Sequence, residues 1–109
     1  MGGMNDPLAR QRNLVEQHPR NELARFSLGK ALYDAGDIPG AREHLEVALA
    51  IRPDWMVVQI LLGRCHLAEG RGAEAVAAFE RALDLAVAQH HEGPQAELEQ
   101  LLSELKSGA

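Results

Sequence analysis

Two stretches of the chain repeat one pattern at a fixed spacing. Residues 28–37 read LGKALYDAGD and residues 62–71 read LGRCHLAEGR, each with Leu-Gly, a cation, an apolar-rich turn and a second glycine. Both glycines of the first stretch lie 34 residues before their counterparts in the second. A period of this length indicates an array of repeated supersecondary units, each of which buries its apolar face against a neighbour.

The repeat covers two units of equal length, residues 22–55 and residues 56–89. Small and large residues return at their own positions, so the two units share one packing scheme. A proline also precedes each unit, at Pro19 and Pro53. The matching pairs are Leu28/Leu62, Gly29/Gly63, Ala31/Cys65, Gly36/Gly70, Ala41/Ala75, Leu45/Phe79, Ala48/Ala82, Leu49/Leu83 and Ile51/Leu85.

Each unit is predicted to form two antiparallel helices. Asn21, Asp37 and Asp54 precede helical patterns as N-caps do, because their side chains can accept hydrogen bonds from unpaired N–H groups. Gly36 and Gly70 are predicted to end the first helix of each unit, since glycine readily adopts positive φ. The four predicted helices cover residues 22–35, 38–51, 55–69 and 72–88.

Glycine within a helix costs about 1 kcal/mol relative to alanine, yet Gly29 and Gly63 repeat that cost. We therefore predict that each glycine permits a close approach between the two helices of its unit. The predicted neighbours on the second helices are Ala41 and Ala75, with Leu45 and Phe79 filling the space beside the contact.

Two flanking helices are predicted to cover the ends of the array, because two units alone leave apolar surface exposed. Residues 6–17 form the N-terminal capping helix, and residues 94–106 form the C-terminal one, opened by Pro94 after the spacer HHEG. Residues 1–5 are predicted to be disordered or derived from a tag. The fold class expected is all-α: a right-handed α-solenoid of antiparallel helix pairs with about six helices.

Residues 22–89 resemble the tetratricopeptide repeat family, whose 34-residue unit is a helix–turn–helix. Two departures stand out: Arg25 and Gln59 replace the family's tryptophan, and Val87 replaces the closing proline of the second unit. The matching residues are Leu28, Gly29, Tyr33, Gly36, Asp37, Ala41, Leu45, Ala48 and Pro53 in the first unit and Leu62, Gly63, Gly70, Ala75, Phe79 and Ala82 in the second.

The resemblance implies a non-enzymatic protein–protein interaction module whose first helices line a concave groove. Apolar residues flanking two cations suit a peptide or protein segment with an acidic group or a C-terminal carboxylate. An alternative stays open: the two cations only increase solubility, and the last helix covers their apolar neighbours. The predicted groove residues are Phe26, Lys30 and Tyr33 in the first unit and Ile60, Arg64 and Leu67 in the second.

Some family members bind C-terminal peptides through a carboxylate clamp of lysine and asparagine. This chain has Phe26 where the first clamp lysine stands, Lys30 where the first asparagine stands and Leu61 near the second asparagine. The resemblance therefore does not extend to a chaperone-tail receptor of that type.

Other functions are not expected from this sequence. Its formal net charge of −5 disfavours nucleic acid as a partner. Cys65 and His66 are adjacent on a helix, where Cys65 replaces a small buried residue and His66 is expected to be a hydrogen-bonded packing residue. His90 and His91 lack further metal ligands at suitable spacing. We expect no catalytic residue, metal or cofactor.

The expected compartment is the cytoplasm, because neither a secretory signal nor an apolar run of about 18 residues is present. A monomer or weak homodimer is expected. The alternative function is a structural, self-assembling subunit that oligomerises through its end helices.

Overall fold

The computed structural model describes residues 6–108, and the segment predicted to be disordered or tag-derived, residues 1–5, lies outside them. The described residues form six α-helices and no strand. The chain divides into one compact unit that ends at Pro53 and a second that begins at Asp54. The helices are α1 (Ala9–Gln17), α2 (Glu22–Asp34) and α3 (Ile38–Ile51) in the first unit, and α4 (Met56–Ala68), α5 (Gly72–Ala88) and α6 (Glu92–Ser107) in the second.

Side chains cap two of the helices as predicted. Asn21 Oδ1 accepts a hydrogen bond of 2.9 Å from the N–H of Ala24, and Asp37 Oδ1 accepts one of 3.1 Å from the N–H of Gly40. The predicted cap at Asp54 is wrong, because α4 begins one residue later and its N-cap is Trp55, whose side chain does not cap the helix. Local side-chain caps thus mark where α2 and α3 begin, but not where α4 begins.

Gly36 and Gly70 end α2 and α4 in the left-handed conformation, with φ of +90° and +73°. In each case the N–H of the residue after the glycine donates to a carbonyl of the last helical turn, which closes the helix. These bonds run from Asp37 to Leu32 at 2.9 Å and from Arg71 to His66 at 2.8 Å.

Helix α5 ends in the same motif, but a histidine holds the glycine position. His90 has φ of +60°, and the N–H of His91 donates to the carbonyl of Ala86 at 2.9 Å. A side chain in this region places Cβ close to the following carbonyl, which costs roughly 1–2 kcal/mol. The motif therefore forms here at a steric cost that Gly36 and Gly70 avoid.

Replacement of His90 by glycine should raise the free energy of unfolding by about 0.5–1 kcal/mol, because the relief of steric strain exceeds the chain entropy that glycine adds. Urea denaturation followed by circular dichroism measures the change. Gln89, whose φ is −97°, provides the matched control, and Gln89→Gly should give no gain. A His90→Gly protein no more stable than the parent would contradict this account.

Helix α6 begins at Glu92, two residues before the predicted start at Pro94. Proline is tolerated at the third position because the first N–H groups of a helix have no partner within it. The spacer between α5 and α6 is therefore shorter than the sequence HHEG suggested. Helix α1 begins at Ala9, three residues later than predicted.

A large side chain lies over each of the two helical glycines. A Cβ added to Gly29 would lie 3.0 Å from Leu45 Cδ2, and one added to Gly63 would lie 2.5 Å from Phe79 Cε1. The close approach predicted at Ala41 is confirmed for the backbone, since the Ala41 carbonyl oxygen lies 3.4 Å from the added atom. The three atoms nearest to Gly63 all belong to the Phe79 ring, and the contact with Ala75 stays a prediction. The missing Cβ creates a notch that receives the large residue of the partner helix.

All three helices of the second unit contribute to one apolar cluster. Helix α6 supplies Leu98 and Leu102, which are buried, and its Leu101 and Leu105 pack partly buried against the cluster. These four leucines of the last helix therefore face the interior of the second unit. The buried members of the cluster are Met56, Ala75, Phe79, Ala82, Ala86, Leu98 and Leu102.

Candidate partner-binding surface

The three predicted residues on α2 share one helical face, at i, i+4 and i+7. Phe26 and Tyr33 are half-buried, and Lys30 is exposed. The Lys30 ammonium donates to Asp34 Oδ2 at 3.0 Å, one turn further along the same helix. An exposed pair of this kind contributes only a few tenths of a kcal/mol. Lys30 therefore remains available to a carboxylate of a partner.

The three predicted residues on α4 are spaced in the same way but differ in burial. Ile60 packs partly buried against the apolar cluster of the second unit. Arg64 is exposed, and 36% of Leu67 is accessible to solvent. Ile60 thus packs against the core, whereas Arg64 and Leu67 lie at the surface.

Two further residues, which the sequence analysis did not select, extend these faces by one turn. Leu23 precedes Phe26 by three residues and is 59% exposed, and Val57 precedes Ile60 by three residues and is 51% exposed. Both are apolar at equivalent positions of the 34-residue repeat. The sequence signal that could have identified them is an apolar residue at the same position of both repeats, three residues before Phe26 and three before Ile60.

Arg25 stands at the family's tryptophan position in the first unit and makes polar contacts there. Its Nε donates to the carbonyl of Pro19 at 2.8 Å, and its Nη1 lies 3.0 Å from His44 Nδ1. Burial and the nearby guanidinium lower the pKa of His44, so the neutral imidazole accepts this hydrogen bond. Arg25 thus connects the turn before α2 to α3.

Gln59, the counterpart of Arg25 in the second unit, is buried, and its Oε1 accepts no hydrogen bond from residues 6–108. His66 is buried as expected, but its Nδ1 also has no hydrogen-bond partner among those residues. The expectation of a hydrogen-bonded His66 is therefore wrong at this atom, because the position otherwise belongs to apolar residues such as Leu32.

The remaining chemical side chains do not assemble into a site within the described residues. Cys65 is fully buried, and His90 and His91 are exposed. Residues 6–108 contain no group of three or more His, Cys, Asp or Glu arranged to hold a metal ion. Over the same residues, no helix is both long and apolar enough to cross a membrane.

Pairs of helices joined by a tight turn, with a notch glycine in each first helix, define a helical-repeat protein. Two models of the tetratricopeptide repeat family match the chain, one over residues 32–105 and one over residues 8–54. The chain belongs to the tetratricopeptide repeat family, whose members are in general protein-interaction modules.

Known proteins support this assignment. The chain is 42% identical over 79 residues to TPR repeat-containing protein PA0015 of Pseudomonas aeruginosa, a match that covers 72% of this chain and 73% of that protein. The solution structure of protein BPP2914 from Bordetella parapertussis is similar with a TM-score of 0.79 and 28% identity, covering 95% of this chain and 90% of that one.

The crystal structure of MamA is similar in fold, with a TM-score of 0.71 and 18% identity, over 94% of this chain and 67% of that one. These structures and the six helices confirm the prediction of an all-α helical-repeat solenoid.

Proposed function

We propose that this chain is a non-enzymatic interaction module that binds peptide or protein segments through two equivalent faces, one on α2 and one on α4. The observation that carries the proposal is the pair of exposed cations, Lys30 and Arg64, at equivalent positions of the repeat. Each has apolar neighbours at i−4 and i+3 on its own helix. The candidate surface on each helix is one face: Phe26, Lys30 and Tyr33, extended by Leu23, on α2, and Ile60, Arg64 and Leu67, extended by Val57, on α4.

The chemistry of this surface favours a segment with an acidic side chain or a C-terminal carboxylate. A cation forms its strongest hydrogen bonds with ionised oxygen acceptors. Lys30 can leave Asp34 and pair with a carboxylate of the partner at a small cost in free energy, because the existing ion pair is exposed. The exposed Leu23 and Val57 add apolar area that a partner can cover.

The test is affinity capture from native lysate with the parent chain and with a Lys30→Glu/Arg64→Glu variant. We expect the variant to lose at least about 90% of the specifically captured protein, because loss of a charge-assisted contact at both sites is worth more than 1.4 kcal/mol. Circular dichroism should show unchanged helicity, since both side chains are exposed.

The matched control is Arg20→Glu/Arg81→Glu, which changes net charge by the same amount at two exposed positions outside the surface. Proteins that are lost with the first variant and retained with the second support the proposal. An identical set of captured proteins with both variants would reject it. Self-assembly through the end helices would use α1 and α6 instead, so charge reversal at Lys30 and Arg64 leaves it intact.

A further inference from the structure

Helix α6 has the residue pattern of α2 and α4. The seventh residue of each of these helices is a buried leucine, and the eleventh is also buried. The first set is Leu28, Leu62 and Leu98, and the second is Leu32, His66 and Leu102. Helix α6 is therefore built as the first helix of a pair.

Within residues 54–108, α5 packs on α6, and no other helix takes the place of a second helix beside α6. In α2 and α4 the eighth residue is the notch glycine that receives Leu45 or Phe79. In α6 this residue is Glu99, which is exposed and borders a groove of about 570 Å³ between α5 and α6. The floor of the groove is apolar, with Leu83 from α5 and Leu102 from α6.

The rim of this groove is acidic. It carries Glu80, Asp84 and Glu99, and among the described residues that line it the one cation is Lys106, which donates to Glu80 Oε2 at 2.8 Å. Residues 72–109 contain seven acidic and two basic side chains, whereas residues 1–71 contain nine of each, so α5 and α6 carry the whole net charge of −5. An occupant of this groove needs apolar and cationic side chains on one helix.

Helix α1 has the complementary character. Relative to the 34-residue repeat, Gln11 stands where Leu45 and Phe79 stand, and Pro19 matches Pro53, so α1 has the phase of a second helix. Leu14, which is 40% exposed, borders a groove between α1 and α2, and Arg10 is exposed.

Two side chains on α1, those of Arg12 and Gln11, can form a new polar contact at little cost in free energy. Arg12 forms a 3.5 Å ion pair with Asp6, and both side chains are partly exposed. Gln11 Oε1 is buried and accepts no hydrogen bond from residues 6–108. Rotation of this amide toward a donor such as the Ser103 hydroxyl or the Lys106 ammonium would satisfy it, since a buried acceptor without a partner is costly.

We propose that α1 of a second copy of this chain occupies the α5–α6 groove and serves as the second helix for α6. Gln11 of the incoming helix lies over Glu99, Leu14 lies toward the apolar floor, and Arg10 and Arg12 meet the carboxylates of the rim. Because the two contacting surfaces are different, the contact is head-to-tail. It produces rings if the rotation closes and filaments if it does not.

The test is light scattering over a range of concentrations at low and high salt, with two charge-reversed variants. Arg10→Glu/Arg12→Glu makes α1 acidic, and Asp84→Lys/Glu99→Lys makes the groove basic while leaving the Glu80–Lys106 pair in place. We expect the parent chain to associate at low salt and each variant alone to be monomeric. An equimolar mixture should associate again, because an acidic α1 then meets a basic groove and a basic α1 meets an acidic one.

Recovery in the mixture also shows that both variants are folded. Arg20→Glu/Arg81→Glu and Glu74→Lys/Glu97→Lys, which change net charge at exposed positions outside the contact, should associate as the parent does. A parent chain that remains monomeric at every concentration overturns the proposal, as does association that neither variant reduces. Capture of a cationic helix from another protein by a monomeric parent also overturns it. The Lys30→Glu/Arg64→Glu variant should still assemble, so this result is separable from the partner-binding proposal.

Discussion

Replacement of Phe79 by alanine is expected to lower the free energy of unfolding by about 3–5 kcal/mol. Phe79 is the largest of the fully buried side chains, and its ring occupies the notch at Gly63 within the apolar cluster of the second unit. Truncation removes apolar area and leaves a cavity that the helices around it close only in part. A loss of this size is a large fraction of the roughly 5–15 kcal/mol that stabilises a typical domain.

Urea denaturation followed by circular dichroism measures this loss. The matched control is Phe26→Ala, because Phe26 is the only other phenylalanine and is half-buried. Phe26→Ala should lower the free energy of unfolding clearly less than Phe79→Ala does. Phe79→Leu should also cost less than Phe79→Ala, since Leu45 already occupies the same position in the first unit. Equal losses for the two phenylalanines would mean that the notch contact has no special weight.

Gly63→Ala is expected to destabilise the chain by about 1–3 kcal/mol, although alanine favours the helix by about 1 kcal/mol. The added Cβ would lie 2.5–2.8 Å from three atoms of the Phe79 ring, and a rigid ring between packed helices cannot move away. Gly29→Ala is the matched comparison. Its Cβ would lie 3.0 Å from the end of Leu45, which can change rotamer, so a much smaller effect is expected.

The double variant Gly63→Ala/Phe79→Leu tests the cause of this effect. When leucine replaces Phe79, the loss of unfolding free energy caused by Gly63→Ala should fall toward the loss caused by Gly29→Ala. The difference between the losses with phenylalanine and with leucine measures the coupling between positions 63 and 79. Equilibrium urea denaturation of the four proteins in the cycle gives this coupling. If Gly63→Ala proves as stable as the parent, the steric account of the notch is wrong.

Features that depend on neighbouring residues could be predicted well from the sequence. The caps at Asn21 and Asp37 and the turn glycines Gly36 and Gly70 are in place, because each acts within one turn of the chain. The start of α6 was wrong by two residues. Proline was taken as the first residue of the helix, whereas the first turn also accepts it at a later position.

The candidate surface was only partly predictable. Helical spacing put Lys30 and Arg64 at the surface correctly, since a 3.6-residue period separates packed faces from exposed ones. The same reasoning did not select Leu23 and Val57, which are exposed in the structure. It also did not foresee that Ile60 packs against the apolar cluster, since that depends on side chains from other helices.

The sequence by itself determined the repeat, its two pairs of helices and its family, because a 34-residue period and local caps are written in residues close together along the chain. Only the tertiary structure decided that Leu45 and Phe79 supply the atoms nearest to the two helical glycines. It also decided that the groove between α5 and α6 has an acidic rim and is open within residues 54–108. These outcomes depend on which side chains meet across different helices, and the order of residues along one helix does not specify that.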